Sequence, residues 1–477
     1  MKREMKAPLN GQNHGKTNGQ NNLIFMINKH SNKGEILAHA QNLHGKTLRD
    51  IIDKDKIEEV EKLVISKTGN KGLFGLLTEL YGFNIEPNNI PEPDFPDAGI
   101  ELKTTGIKIS KKKRLWSAKE RLSFSMINYN KVYKETWDNS SFLSKNKRLL
   151  IIFYLYVEVA KELDRRIVFH KFLDLLDKQS SVDIIQIEKD WNSIIEKIKL
   201  GLAHELSEGD TSYLGAATKG AGGATTSQPF SNIPAPTRAF ALKQAYFTSI
   251  VKQFQNEKSA DESLFKDPKE PTSIEDYIKI KLTPHYGKTE EELANQLGII
   301  ISKPNKQKQL RRQIIDKILG LKGGRTKVVE FTKSSTTLKV IKLEENGRLV
   351  ESISFPTFQY LDLVEQEWLE SDFYNDLTSG RFLFVVYRKK GNTSILEQFK
   401  FWTFPESQIE FAESFWKRVV RQVKDCKADD LPGLADNDIM HVRPHTTKGT
   451  TNITPCGNEV RTQSFWLNNT YIRSIFN

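Results

Sequence analysis

The stretch PDFPDAGIELKTTG, at residues 93–106, decides the fold of the first half of the chain. Pro96 and Gly99 are typical of a turn, and a strand is predicted from Gly99 to about Ile109. A central strand is predicted at KRLLIIFYLYVEV, which begins at Lys147 and is rich in β-branched and aromatic residues. Helix-forming runs alternate with these strands. The sequence therefore predicts a soluble protein of mixed α/β class.

The same stretch contains two carboxylates and a lysine. Side chains alternate across a strand, so Glu101 and Lys103 share one face, and the turn can fold Asp94 back beside Glu101. Two such carboxylates repel each other unless a hard cation lies between them, and Mg²⁺ accepts oxygen ligands. A lysine beside the cation could orient or deprotonate an attacking water. These groups could hydrolyse a phosphodiester, although the same pattern also occurs in unrelated chains.

Length and charge limit the class of protein. A chain of 477 residues exceeds one ordinary core, which stops growing near about 250–300 residues, so two domains are expected. The net charge of +11 favours a polyanionic partner, because Lys and Arg that neutralise phosphates release counterions. A solvated basic surface would give a similar count.

The cysteine content and the apolar runs bear on the compartment. Cys426 and Cys456 are too few and too far apart in the sequence for a disulfide framework or a thiolate zinc site. A reducing, cytoplasmic location is therefore expected. The N-terminus lacks the apolar core of a signal peptide, and the run LLIIFYLYVEVA is shorter than a bilayer span. Neither membrane association nor a small-molecule cofactor is expected.

Composition divides the chain. Residues 1–22 are predicted to be a flexible polar tail, and the charged, proline-containing stretch 256–273 is predicted to link a first domain, 23–255, to a second, 274–477. The stretch 214–237 has little that could pack and is predicted to be a mobile loop. Three short segments of the first domain recur in the same order in the second: HGKT as YGKT, ELYG as KILG, and AFALKQAYFTSI as SFWLNNTYIRSI. Two copies of one fold are therefore predicted.

The first domain resembles the MutH family of endonucleases, which nick DNA at GATC. The matching segments, in family order, are EILAHAQNLHGKTLRDI, KGLFGLLTELYG, DFPDAGIELKT, TWDNSSFLSKNKRLL, SYLGAATKG and AFALKQAYFTS. Two such copies, the second altered, resemble the Sau-type restriction endonucleases, which cut both strands at GATC. The resemblance implies tandem restriction-endonuclease-fold domains of the PD-(D/E)xK superfamily, each a central mixed sheet flanked by helices.

The resemblance also implies roles for five side chains. Asp94 and Glu101 would hold the divalent metal, and Lys103 would position the water. Glu79 would support the metal–water network, and Lys145 would contact the scissile phosphate. A lone carboxylate within an apolar helix favours a role for Glu79, although it could instead face solvent. Without the resemblance, Lys145 could equally belong to a solubilising turn.

DNA contacts are predicted in both copies. The reading loop AATKG of the first copy lacks the Arg-Pro pair of the family, whereas MHVRPHTTKG of the second contains it. Arginine can bond guanine, and asparagine adenine, in two places. Turns with incidental polar residues are the alternative. The candidates are Lys71, Lys219 and Lys243 in the first copy and Arg443, His445, Lys448, Asn468 and Asn469 in the second.

The second copy is predicted not to cleave. Aligning Lys339 with Lys103, KILG with ELYG, and GRFL at the second copy's long strand with KRLL changes the other four catalytic positions: Glu330 replaces Asp94, Thr337 replaces Glu101, Lys317 replaces Glu79 and Thr378 replaces Lys145. The resemblance suggests that this copy binds a second DNA site and activates the first.

Together these features predict an Mg²⁺-dependent type II restriction endonuclease that cuts double-stranded DNA at GATC. Because each chain carries one complete site, cutting both strands takes either two chains or two successive nicks, and dimerisation on DNA is the preferred hypothesis. The alternatives are a MutH-type repair nickase and a non-catalytic DNA-binding protein.

Overall fold

The computed structural model describes residues 32–476 apart from short gaps. The gaps are 67–71, 87–91, 110–115, 158–160, 178–181, 220–222, 256–260, 267–271, 302–306, 324–326, 350–351 and 446–449. The predicted tail and the candidates Lys71 and Lys448 lie outside the described residues.

The first half of the chain alternates helices with strands. Its helices are α1 (Lys33–Asn42), α2 (Leu48–Ile51), α3 (Ile57–Ser66), α4 (Leu73–Leu77), α5 (Tyr129–Val132), α6 (Ser141–Asn146), α7 (Val182–Lys199) and α8 (Gln244–Phe254). Its strands are β1 (Ile100–Ile109), β2 (Trp116–Ala118), β3 (Leu122–Met126), β4 (Arg148–Leu155), β5 (Ile167–Asp174), β6 (Leu214–Thr218), β7 (Thr225–Gln228), β8 (Ser231–Pro236) and β9 (Arg238–Leu242). The predicted strands correspond to β1 and β4.

The second half repeats this order. Its helices are α9 (Ile274–Leu282), α10 (Glu290–Gln296), α11 (Gln307–Ile318), α12 (Val329–Lys333), α13 (Tyr360–Glu365), α14 (Asp372–Thr378), α15 (Ile409–Lys424) and α16 (Asn469–Ser474). Its strands are β10 (Thr336–Leu343), β11 (Ile353–Thr357), β12 (Arg381–Lys390), β13 (Thr393–Trp402), β14 (Met440–Pro444), β15 (Thr451–Ile453), β16 (Glu459–Arg461) and β17 (Gln463–Leu467).

Each half contains a mixed sheet, a small antiparallel sheet and a hairpin. The mixed sheets have the orders β2-β1-β4-β5 and β10-β12-β13. In the first sheet β1 runs parallel to β4, and in the second β10 runs parallel to β12. The antiparallel sheets, β3-β9-β6 and β11-β17-β14, and the hairpins, β7-β8 and β15-β16, also correspond.

The strand registers show that the halves are two copies of one fold. Glu101 pairs with Leu149 in the first mixed sheet, and Thr337 pairs with Phe382 in the second. The shifts, 337 − 101 = 236 and 382 − 149 = 233, are those that the sequence matches at Lys339 and at the start of β12 predicted. The predicted internal repeat is therefore confirmed.

Two mixed sheets divide the apolar interior into three layers. The first layer packs α1 to α4 on one face of β1 and β4. The second layer continues from the other face, through α7 and α8, to α9, α11 and the inner face of β12. The third layer lies between the outer face of β12 and helix α15. Because the middle layer draws on both copies, they share a hydrophobic core.

The prediction of a mobile loop at 214–237 is wrong. These residues supply β6, β7 and β8, and β6 is almost wholly buried. The small residues are what allow this, because a Cβ on Gly215 would lie 2.7 Å from the Glu208 side chain. The amide of Gln228 fastens the hairpin by accepting from the Ala203 N–H at 2.8 Å and donating to the Ile233 carbonyl. Close packing of small side chains therefore replaces the large apolar residues that the sequence lacks here.

Two further features bear on the sequence predictions. Cys426 and Cys456 form a disulfide with a Cα–Cα distance of 5.7 Å, contrary to prediction. The hairpin β15-β16 brings the second cysteine back to the end of α15, so separation along the chain was a poor guide to separation in space. The cysteine argument for a reducing compartment thus loses its basis.

Among the described helices, none has both the length and the apolar character needed to cross a bilayer.

Candidate active site and DNA-reading segments

The predicted turn brings Asp94 back to β1. Phe95 and Ile100 exchange backbone hydrogen bonds across it, and Gly99 has a φ of +63°, which favours glycine. The Asp94 carboxylate accepts a hydrogen bond of 2.8 Å from the Leu102 N–H. The turn therefore fixes this carboxylate beside the strand that carries Glu101.

Glu101 is the most buried member of the site. Its side chain is 2% exposed and forms ion pairs with Lys103 and, at 3.5 Å, with Lys145. Both pairs use Oε1, whereas the buried Oε2 has no hydrogen-bond partner among the described residues. Burial raises the pKa of Glu101; Lys103 opposes this effect and Asp94 adds to it. An unpartnered carboxylate oxygen in a buried site is costly and calls for a ligand.

Glu79 lies in a π-helical turn, Thr78–Gly82, that continues α4. Such turns are rare and occur frequently at functional sites. Gly75 lets the helix approach β1, because a Cβ there would lie 3.0 Å from the Thr104 hydroxyl. Burial and the charge of Asp94 raise the pKa of Glu79 to about 7, against the opposing charge of Lys103. The helix thus places a third carboxyl group within the electrostatic reach of Asp94 and Glu101.

Lys145 reaches the site from α6. Ser140 caps this helix by accepting from the Leu143 N–H at 3.0 Å, and Phe142 packs against Trp137 in the core beneath it. The amine of Lys145 lies 3.5 Å from Glu101 Oε1, and the lysine side chain is 31% exposed. All five predicted catalytic residues are therefore brought together by contact or by charge.

The site fits a divalent cation. Asp94 and Glu101 supply carboxylate oxygens, of which Glu101 Oε2 is buried and accepts no hydrogen bond from any residue that the structure describes. Hard divalent cations are held by one or two carboxylates together with water and phosphate oxygens. No group of three or more His, Cys, Asp or Glu side chains in the described part of the chain surrounds a common point. Asp94 and Glu101 therefore match an open site, in which water and a substrate phosphate complete the coordination of the cation, rather than a cage built only of protein ligands.

The two lysines predicted to read DNA in the first copy differ in position. Lys219 follows β6 and is half-buried, and its backbone is tied to Thr237 by hydrogen bonds of 3.0 and 2.8 Å. Lys243 is fully buried, and its ammonium donates to the carbonyls of Thr211 at 2.7 Å and Ser379 at 3.2 Å. The prediction that Lys243 contacts DNA is therefore wrong, because its ammonium group is buried and forms its hydrogen bonds inside the protein.

The second copy presents an exposed cationic segment. Arg443 on β14 lies over the Trp466 ring at 3.9 Å, and His445 contacts the same ring edge-on. Burial, with the nearby Lys339 and Arg443, lowers the pKa of His445. The Trp466 platform therefore holds the arginine in place before any partner arrives.

Asn468 and Asn469, the two candidate asparagines of the second copy, both form hydrogen bonds inside the protein. Asn468 is buried and bonds the His441 ring at 2.6 Å and the Asn437 carbonyl at 2.7 Å, so the prediction that it reads bases is wrong. It occupies the register position of Lys243, immediately before the last helix of its copy. Asn469 is half-buried and donates to the Leu349 carbonyl at 3.1 Å. Lys243 before α8 and Asn468 before α16 thus each link their helix to other parts of the protein.

The catalytic positions have diverged in the second copy. Thr337 and Lys317 are exposed, and the Glu330 carboxylate accepts hydrogen bonds from Ser263 and Leu264 of the segment between the copies. Counting from the serine caps of α6 and α14 places Asp376, rather than Thr378, opposite Lys145, because this copy has two extra residues before its strand (148 − 140 = 8, 381 − 371 = 10). Neither alignment supplies a lysine.

Sequence reasoning missed a buried polar cluster between the copies. Asp190 on α7 accepts hydrogen bonds from the backbone N–H groups of Ser212, Tyr213 and Leu214 at 2.9, 2.5 and 2.9 Å. Gln186 joins Asp190 to Glu275 of the second copy. The signal was available, because Asp190 lies on the apolar face of α7 with Ile187 and Ile194.

Comparison with known proteins gives the family. The sequence model of the DNA mismatch repair enzyme MutH matches residues 83–190, which include Asp94, Glu101, Lys103 and Lys145. The type II restriction enzyme Sau3AI of Staphylococcus aureus is 34% identical over 445 residues, which cover 82% of this chain and 89% of that enzyme. The match thus extends beyond the first copy. With this identity across both copies, the chain belongs to the family of MutH-like type II restriction endonucleases that includes Sau3AI.

Proposed function

We propose that this restriction endonuclease hydrolyses DNA at GATC with Mg²⁺, and that Asp94, Glu101, Lys103, Lys145 and Glu79 form its active site. The observation that carries the proposal is the buried carboxylate of Glu101, which faces two lysines with one oxygen and whose other oxygen has no hydrogen-bond partner within the described parts of the chain. Two carboxylates and a small number of protein ligands suit Mg²⁺, which keeps several waters. The specificity for GATC rests on the resemblance to the MutH and Sau-type families.

Each side chain has a role that its position supports. Asp94 and Glu101 would hold the cation, which supplies Lewis-acid stabilisation of the phosphoryl oxygens and acidifies a water. Lys103 lies on the same strand face as Glu101 and would hold the attacking water. Lys145, which is more exposed, would neutralise the charge that develops on the scissile phosphate. Glu79, with its raised pKa, would exchange a proton with the water network near neutral pH.

The second copy serves as a DNA-binding effector in this proposal. Arg443 and His445 are exposed around Trp466, whereas the catalytic carboxylates are absent or used elsewhere. Arginine in such a position can read guanine or contact a phosphate. One complete site per chain cannot cut two strands at once, so two chains would assemble on DNA for double-strand cleavage.

The test is cleavage of matched supercoiled plasmids that carry or lack GATC, in Mg²⁺ or in chelator. We expect linear product only with both GATC and Mg²⁺, and no cutting by Asp94→Ala although that variant still binds. An exposed acid of the same copy, Asp53→Ala, is the matched control and should cut normally. Nicked circles without linear product would favour the MutH-type nickase. Cutting by Asp94→Ala at the normal rate would refute the assigned metal site.

A further inference from the structure

The segment that precedes β6, the strand leading to Lys219, is anchored in the second copy. Residues 207–213 lead directly into β6, which ends beside Lys219. The Ser207 hydroxyl donates to the Thr378 carbonyl at 3.3 Å, and a Cβ on Gly209 would lie 2.0 Å from the Thr403 hydroxyl oxygen. This segment, called here the junction segment, therefore fits against the second copy with no space for a larger residue at Gly209.

Ser212 is the point at which the two copies meet through charged groups. Its N–H is held by Asp190 of the first copy, and its hydroxyl donates to Glu275 at 2.9 Å and accepts from Arg381 at 2.9 Å. Arg381 is the first residue of β12 and pairs with Glu275. Burial by itself would raise the pKa of Glu275, but the charge and hydrogen bonds of Arg381 outweigh it and lower the pKa to about 2.

A set of contacts joins Ser212 and Arg381 to β14, the strand of the second copy that carries Arg443. Arg443 on β14 pairs with Ser464 on β17, and the adjacent Phe465 stacks on Phe373 of α14 with ring centroids 3.9 Å apart. Helix α14 ends at Thr378, three residues before Arg381. Displacement of β14 or β17 would therefore move α14 and, through it, the groups that hold Ser212.

We propose that DNA bound to the second copy sets the position of β6 in the first copy through this junction, with Ser212 and Arg381 as the positioning residues. The inference rests on the proposed effector role of the second copy and adds the route by which it acts. Neither residue belongs to the candidate active site or to the exposed segment around Trp466. Allosteric coupling between two sites typically amounts to about 5- to 150-fold in affinity.

The experiment measures cleavage of a plasmid with one GATC, with and without a short GATC duplex added in trans. The variants are Ser212→Ala, which removes one hydroxyl, and Arg381→Met, which removes the charge while keeping much of the volume. The matched control is Lys333→Met, because Lys333 also forms an ion pair between the copies, with Asp183 at 2.8 Å. Binding of labelled duplex to an Asp94→Ala background is followed in parallel.

We expect the duplex to stimulate the unaltered enzyme and the control on the order of 10-fold, and to stimulate Ser212→Ala and Arg381→Met no more than about 2-fold. Unstimulated cleavage and duplex binding should stay unchanged in both. If Arg381→Met fails to fold, Ser212→Ala alone decides. Full stimulation of Ser212→Ala would overturn this inference and leave the effector role intact. Absence of stimulation in the unaltered enzyme would overturn both.

Discussion

Replacing Glu79 with glutamine is expected to stabilise the metal-free protein at alkaline pH while impairing cleavage. In the folded chain the pKa of Glu79 rises from its ordinary value of 4.5 to about 7, because burial and Asp94 disfavour the carboxylate. The folded state thus binds the proton more tightly than the unfolded state, so stability falls as pH rises through this range. Glutamine keeps the shape of the side chain but cannot ionise.

The magnitude follows from the two pKa values. At about 1.4 kcal/mol per pKa unit, the penalty on wild-type stability grows by about 2 to 3 kcal/mol between pH 5 and pH 8. Glu79 is only half-buried, and water screens part of the field, so we expect about 2 kcal/mol. The variant should therefore match the wild type near pH 5 and exceed it by that amount at pH 8.

Urea unfolding in chelator at both pH values measures the effect. Glu35→Gln, which removes an exposed carboxylate in the first turn of α1, is the matched control. A Glu79→Gln advantage that is equal at both pH values, or that shrinks as pH rises, would refute the assigned environment of Glu79.

Three further outcomes are expected. Lys145→Ala should slow plasmid cleavage by at least about 100-fold with DNA binding retained, and a loss below about 10-fold would exclude a role in charge stabilisation. Arg443→Ala should weaken duplex binding and reduce the slope of log affinity against log salt by about 1, whereas an unchanged slope would argue against a phosphate contact. Cys456→Ser should lower the unfolding free energy by about 3.6 kcal/mol, since the disulfide closes a loop with a sequence separation of 30. Reductant should produce the same loss in the wild type and none in the variant.

The centre of the first copy was predictable because its signals are local. Alternation along β1 places Glu101 and Lys103 on one face, and the turn chemistry of Gly99 returns Asp94 to that strand. The register shift between copies was predictable for the same reason, because strand pairing preserves spacing. The π-helical turn around Glu79 carried no such signal, since one extra residue in a helical turn leaves the apolar pattern almost unchanged.

The failures concern residues whose environment is created by distant parts of the chain. Lys243 and Asn468 precede helices and look solvent-exposed in sequence, yet each is enclosed when its small antiparallel sheet packs on the rest of the protein. A buried ammonium needs hydrogen-bond acceptors, and one of the two carbonyl groups that accept from Lys243 belongs to the distant Ser379. Cys426 and Cys456 likewise meet only because a hairpin folds over α15.

The apolar layer between the two mixed sheets has a consequence for how such an enzyme can be taken apart. Leu282, Ile314 and Leu383 belong to the same cluster as Trp191 and Phe247 of the first copy. Truncating the chain after α8 would leave the inner side of α7 and α8 uncovered, and the severed remainder would expose the matching side of β12. Large exposed apolar surfaces promote self-association. We therefore expect each fragment to self-associate when it is made without the other, because the shared apolar layer covers both copies at once.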